Sequence, residues 1–176
     1  MYDVPAAKIG PKWLSRGWQL NSLLYLRTGR PVIIRASSAT SGTLEGTERA
    51  NIVADPFNGA DHTFVQGHSL RWFSPAAFVN PANGQFGSMQ KNSIYGPGFA
   101  TVDLSVFKNI PIRERLRAEF RVEMFNVLNH VNLAQPSSRV GSSLGQIGST
   151  LGASSGQPGI GPGEPFNVQL ALKFVF

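Results

Sequence analysis

Cysteine is absent from the chain, which excludes disulfides, thiolate metal sites and cysteine nucleophiles together. Charge is scarce: Asp, Glu, Lys and Arg make up 15% of the 176 residues, well below the roughly 25% of soluble domains. No run nears the ~18 consecutive apolar residues of a transmembrane helix, so helical spanning is excluded and any membrane passage rests on alternating strands. The formal charge of +6 is scattered, without a basic run or an RNP, zinc-finger or helix-turn-helix pattern, and no nucleic-acid partner is expected. Met1 to Pro5 show neither the basic segment nor the apolar core of a secretory signal, so none is expected within these residues.

What is present suits strands joined by long loops: 41% hydrophobic residues with 19 Gly and 12 Pro. The clearest segment is 166–176. Phe166, Val168, Leu170, Leu172, Phe174 and Phe176 fall on one face, and Asn167, Gln169, Ala171, Lys173 and Val175 on the other. A period of two over about ten residues is what a tilted membrane strand requires, with one face toward lipid and one toward the lumen. A soluble sandwich alternates too, and periodicity alone leaves it open.

A second strand is predicted over 114–128. Leu116, Ala118, Phe120, Val122 and Met124 alternate with Arg115, Arg117, Glu119, Arg121, Glu123 and Phe125, whereas helical spacing would scatter the apolar set around a cylinder. A barrel strand here would turn Leu116, Phe120, Val122 and Met124 to lipid and Arg115, Arg117, Glu119, Arg121 and Glu123 to the lumen. A third strand is predicted over 99–108, joined to the second by Asn109–Arg113, where Pro111 is expected to block ladder pairing. As a hairpin, these two would set Val106 opposite Leu116, Leu104 opposite Ala118 and Val102 opposite Phe120. That register brings Asp103 near Glu119 and Arg121. A fourth strand is expected near 17–35. Leu23 breaks its alternation, Thr28-Gly-Arg-Pro31 interrupts it, and Val32–Arg35 resumes it. Met1 to Pro5 read as the tail of a still earlier strand.

The segments 36–98 and 129–165, rich in Gly, Ser, Asn and Pro, would be anomalous loops in a compact soluble domain. In an outer-membrane barrel they are ordinary, because long loops face outward and short turns face the periplasm. The fold expected for 1–176 is therefore all-β: an antiparallel transmembrane β-barrel segment of about four to five strands, incomplete by itself, since closed bacterial barrels start at about eight. An open edge in lipid leaves backbone groups unsatisfied at several kcal/mol each, so the missing strands belong to an upstream polypeptide or to other copies of the chain.

No catalytic, metal or cofactor site is expected. Asp55, Asp61, His62 and His68 share one loop but match no ligand spacing, and His130 suits a structural role at a strand end. The glycines of 141–163 lack the context of a phosphate loop and read as flexibility, and no Ser sits in a nucleophile elbow. Arg115, Arg117, Arg121 and Lys173 suggest either a route for anionic solutes or, as the plainer reading, pairing with Glu119, Glu123 and Asp103. Trp18 and Phe174 suit an aromatic girdle or a packed core.

The residues also resemble a family. Gly17-Trp-Gln-Leu20, Thr28-Gly-Arg-Pro31, Trp72-Phe-Ser-Pro-Ala-Ala-Phe78, Gly84-x-Phe86-Gly87 and Asn92-Ser-Ile-Tyr-Gly-Pro-Gly98 occur in order. Val102-Asp-Leu-Ser105 with Lys108, Arg121-Val-Glu-Met-Phe-Asn-Val-Leu-Asn-His130 and Gln169-Leu-Ala-Leu-Lys-Phe-Val-Phe176 follow. Together they resemble the C-terminal barrel of Oar-like TonB-dependent receptors, which carry a carboxypeptidase-regulatory-like domain. The resemblance implies an outer-membrane transporter with a barrel of about 22 strands, an N-terminal plug and energisation by the TonB complex. It also implies that Leu170, Leu172, Phe174 and Phe176 form the signal read by the barrel-assembly machinery. Plug, TonB-contacting segment and regulatory module are not among these residues, so transport by this chain alone is not expected.

Overall fold

Period-two alternation is realised as four long antiparallel strands. The computed structural model describes residues 2–3, 11, 15–43, 48–63, 65 and 67–176. The long strands are β2 (Trp18–Arg27), β6 (Phe99–Arg113), β7 (Leu116–Phe125) and β9 (Asn167–Val175). With the short β1 (Tyr2–Asp3) they form one open five-stranded sheet in the order β1-β2-β6-β7-β9, every pairing antiparallel. The rest of the earlier strand expected at the N-terminus, Met1 and Val4–Pro5, lies outside the described residues. Among the described residues no helix is long and apolar enough to cross a membrane.

The β6–β7 hairpin keeps even residues opposite even ones, but its register differs from the expected one. Val106 faces Val122, Leu104 faces Met124 and Ile110 faces Ala118. The turn is not at Asn109–Arg113. β6 continues through Pro111 to Arg113, and Glu114 and Arg115 make the turn. Pro111 is accommodated because β6 outruns β2: the β2 ladder ends at Trp18–Lys108, and beyond it a residue without an N–H meets fewer ladder demands. Between the Pro111–Arg117 and Arg113–Leu116 pairs the register shifts, with Ile112 as the extra residue of a bulge. Asp103 is consequently far along the ladder from Glu119. Its carboxylate instead accepts the Asn126 N–H at 2.8 Å and the Thr101 hydroxyl at 3.1 Å.

β2 stops at Arg27, short of the expected 35. A Cβ on Gly29 would lie 1.9 Å from the Gly96 carbonyl oxygen, so only glycine lets the chain leave the sheet this close to its neighbour. Val32–Arg35 does not resume the strand. Val32 donates to the Ile94 carbonyl, and Arg35 bridges Arg49 and Arg139.

The two long segments are folded against each other. β3 (Asn51–Ile52) pairs with β5 (Phe78–Val79), and β4 (Leu70–Arg71) of the first segment pairs with β8 (Gln146–Ile147) of the second. The Arg71 guanidinium extends this seam to the Leu144 carbonyl at 3.0 Å and to the Ser142 carbonyl. Val32, Ile34, Phe73, Phe78, Met89, Ile94 and Leu144 form a buried apolar cluster there, and Leu70, Ala134 and Ile147 form a second. Of the glycines in 141–163, which composition reads as flexibility, Gly145, Gly152, Gly161 and Gly163 are closely packed, while Gly141, Gly148, Gly156 and Gly159 face open space. Gly145, at φ +76°, packs against the Phe73 backbone. A short helix, α1 (Leu151–Ser154), lies in the same segment, its N-terminus capped by the Thr150 side chain.

Candidate functional site: a two-faced wall with a cavity at its loop end

Directly opposed residues in an antiparallel ladder share a face, so the register sorts the wall row by row. One face carries Trp18–Lys108–Phe120–Leu172, then Leu20–Val106–Val122–Leu170, then Ser22–Leu104–Met124–Val168. The other carries Asn109–Glu119–Lys173, Gln19–Phe107–Arg121–Ala171 and Asn21–Ser105–Glu123–Gln169. The first is apolar and uncovered: Leu26 is 67% exposed, Leu170 68% and Leu172 61%. In an ordinary globular fold such side chains make the core. Here the buried cluster lies in the loops, and the apolar strand face has no layer over it among the described residues.

The expected site residues fall on this frame as follows. Leu116, Phe120, Val122 and Met124 lie on the apolar side of β7, and Leu170, Leu172 and Phe174 share that side on β9. Phe176 follows the last paired residue of β9 and is 92% exposed. Arg117, Glu119, Arg121 and Glu123 lie on the polar side. Arg117 pairs with Glu119 at 3.5 Å, Glu119 stands opposite Lys173, and the Arg121 guanidinium lies 5.1 Å from the Phe107 ring centroid. Arg115 does not join them, because it occupies the two-residue turn. Trp18 and Phe174 are both at the turn end of the wall, opposite Lys108 and Ala118.

Sequence reading missed Lys108 as a member of the apolar face. Its ammonium lies 4.7 Å from the Trp18 ring centroid and bonds the Arg16 carbonyl, so the butyl stem covers apolar surface while the charge reaches the sheet end. The face follows from the period alone, since Lys108 stands two residues after Val106, but the partner Trp18 is legible only once the register is known.

At the opposite end the polar face meets the second loop around a cavity of about 620 Å³. Strand residues Leu23, Tyr25, Arg27, Phe99, Thr101, Asp103 and Phe125 line its wall, and 160–164 line the loop side. Leu23, which disturbs the alternation of β2, belongs to this lining. Asn126 fixes the corner: its amide donates to the His130 and Glu164 carbonyls at 2.9 and 2.8 Å. It does so at φ +49°, a left-handed conformation that asparagine tolerates. Asn132 bridges the Ala100 N–H and carbonyl. Glu164 gathers the loop above, accepting the Thr150 hydroxyl and the N–H groups of Ala153 at 2.9 Å and Gly159 at 2.7 Å. Burial pushes its carboxyl up, but these hydrogen bonds outweigh that and hold it below the ordinary range. The signal available in sequence was a lone acid among glycines and a cluster of asparagines after a strand, which composition alone marks as loop.

Of the loop residues considered as ligands, His62 stacks on Trp72 at 4.1 Å, while Asp55 and Asp61 cap the backbone N–H groups of Phe57 and Thr63. Among the described residues no group of three or more His, Cys, Asp or Glu is placed to hold a metal.

A family model described as an outer membrane beta barrel domain matches residues 1–169. No curated protein and no solved structure matches the chain. The soluble sandwich that periodicity left open is set aside by this match and by the bare apolar face. The chain belongs to the outer membrane beta barrel domain family and is an outer-membrane protein whose open antiparallel sheet is part of a barrel.

Proposed function

We propose that the chain is the C-terminal part of the barrel of a TonB-dependent receptor of the Oar-like type, which moves a solute across the outer membrane. The observation that carries the reading is the row-by-row separation of an uncovered apolar face from a charged one across four strands of membrane-spanning length. On this reading Leu116, Phe120, Val122 and Met124 meet lipid, and Arg117, Glu119, Arg121 and Glu123 face the lumen. The short Glu114–Arg115 turn is periplasmic, and the folded loops are external. Leu170, Leu172, Phe174 and Phe176 serve recognition by the barrel-assembly machinery. The remaining partners are the rest of the barrel, a plug and, through that plug, the TonB complex. The reading gives the chain no catalytic step, cofactor or nucleic-acid partner.

The order of motifs from Gly17-Trp-Gln-Leu20 to Gln169-Leu-Ala-Leu-Lys-Phe-Val-Phe176 supports the narrower receptor assignment. Sequencing the genomic DNA and transcript upstream of Met1 tests it. A continuous reading frame encoding earlier strands, a plug and a TonB-contacting segment is the expected result. A barrel completed by strands without any plug would leave an outer-membrane barrel protein and remove TonB-driven transport.

A further inference from the structure

An arginine with an unmet donor lines the cavity at the loop end of the polar face. Arg27 Nε is buried and has no hydrogen-bond partner among the described residues, although Arg27 stands where β2 ends and the external loop begins. A buried guanidinium N–H left unpaired is costly, and such a group calls for an acceptor that the fold does not supply. The nearby acids do not supply it. Asp103 accepts from Thr101 and Asn126, and both oxygens of Glu164 accept from its own loop. Arg30 adds a second guanidinium to the lining.

The walls beside Arg27 are aromatic. Phe99 lies 5.5 Å from the guanidinium carbon, and Tyr25 meets Phe99 edge to face at 5.5 Å and 82°. Phe125 and Ile160 continue the apolar lining. A volume of about 620 Å³ lies within the roughly 300–1,000 Å³ of small-ligand sites.

We propose that this cavity binds a small organic carboxylate with an apolar, preferably aromatic, body, the carboxylate accepting from Arg27 and the body lying against Phe99, Tyr25 and Phe125. A guanidinium fork matches a carboxylate through paired hydrogen bonds, and Arg27 lines the cavity beside the Phe99 ring. Both Glu164 oxygens and Asp103 Oδ1 accept from backbone and hydroxyl donors, and among the described residues neither acid is paired with Arg27.

The inference goes beyond transport, since a cavity can bind its ligand whether or not TonB drives uptake. The test is therefore direct binding to the intact protein, extracted from outer membranes in detergent. Fluorine NMR titration would compare para-trifluoromethylbenzoate with para-trifluoromethylbenzamide, each against a micelle blank. The expected result is saturable binding of the acid, with the amide weaker by about tenfold or more because it lacks the charge that the guanidinium pairs. Arg27→Gln should weaken the acid by a similar factor. Ser155→Trp, which enters the cavity from the loop without touching the ladder, should abolish binding in a protein that still assembles. Equal binding of acid and amide, or no saturable binding of the acid to the unmutated protein, overturns the proposal. Neither result bears on whether a plug and TonB segment precede the chain.

Discussion

Val122 carries the question of which face meets lipid. It sits in the middle of an apolar row, flanked directly by Val106 and Leu170. An arginine there would be held at the depth where the bilayer is least polar, and Val122→Arg should cost about 2 to 4 kcal/mol of folding stability in vesicles. Gln169→Arg, placed opposite Glu123 on the other face, should stay within about 0.5 kcal/mol of the parent. Urea titration of the two variants in vesicles decides it: a costly Gln169→Arg with a harmless Val122→Arg would reverse the facing. Glu48 sets a different residue-scale expectation. The Ser41 hydroxyl, followed by the Thr40 N–H, holds its carboxyl down to about 2 from an ordinary 4.5. A depressed folded-state value means that the latch stabilises above the unfolded value and is lost as pH falls from 4.5 toward 2. The Thr40 and Ser41 amides, which donate to Glu48, should therefore be protected from hydrogen exchange near the top of that window and lose the protection near the bottom. Glu48→Gln should leave them unprotected throughout, and protection factors indifferent to both pH and the substitution would dismiss the latch.

At the scale of elements, the sequence declared its strands well and their ends badly. The alternation of Leu170, Leu172 and Phe174 or of Phe120, Val122 and Met124 depends only on side-chain period, so it was legible in the residues themselves. The hairpin register was not, because it turns on where a chain reverses. Pro111 reads as a breaker, yet at the end of a strand that outruns its neighbour it is tolerated, and Ile112 bulges to let Glu114 and Arg115 turn. Lys108 shares a face with Val106 by period alone, but its contact with Trp18 was hidden for the same reason, since that depends on the register. The terminal element offers the matching test. β9 has β7 on one side and no described strand on the other, so in lipid this edge must be paired by a strand outside the described sheet. Deleting Phe176 touches no ladder pair, and stability in preformed vesicles should change little. Assembly in cells should fall sharply, read as loss of heat-modifiable migration in outer-membrane fractions. Normal assembly without Phe176 would take the assembly signal away from the end of β9.

Across the whole molecule, burial is divided between two media. The long strands give their apolar side chains to the outside of the sheet, while the segments between them bury Ile34, Phe73, Met89 and Leu144 within their own fold. Composition could not announce this second core, because its members are short apolar stretches and single residues spread among Gly, Ser, Asn and Pro and joined by long-range contacts such as the β4–β8 seam. One consequence is separability. Phe73 is fully buried and touches Phe57 and Phe78 by ring contacts, with none of the four long strands among these partners. Phe73→Ala should cost the loop fold about 3 to 5 kcal/mol, the usual range for emptying such a site. The wall draws its stability from ladder bonds and from the medium around its apolar face, so it should not share that loss. In intact cells trypsin should then cut at Arg49 and Arg71, which the packed loops otherwise hold in paired backbone, while the barrel keeps its heat-modifiable migration. Loss of the barrel together with the loops would mean instead that the two cores fold as one, and that the loops are needed to set the strands.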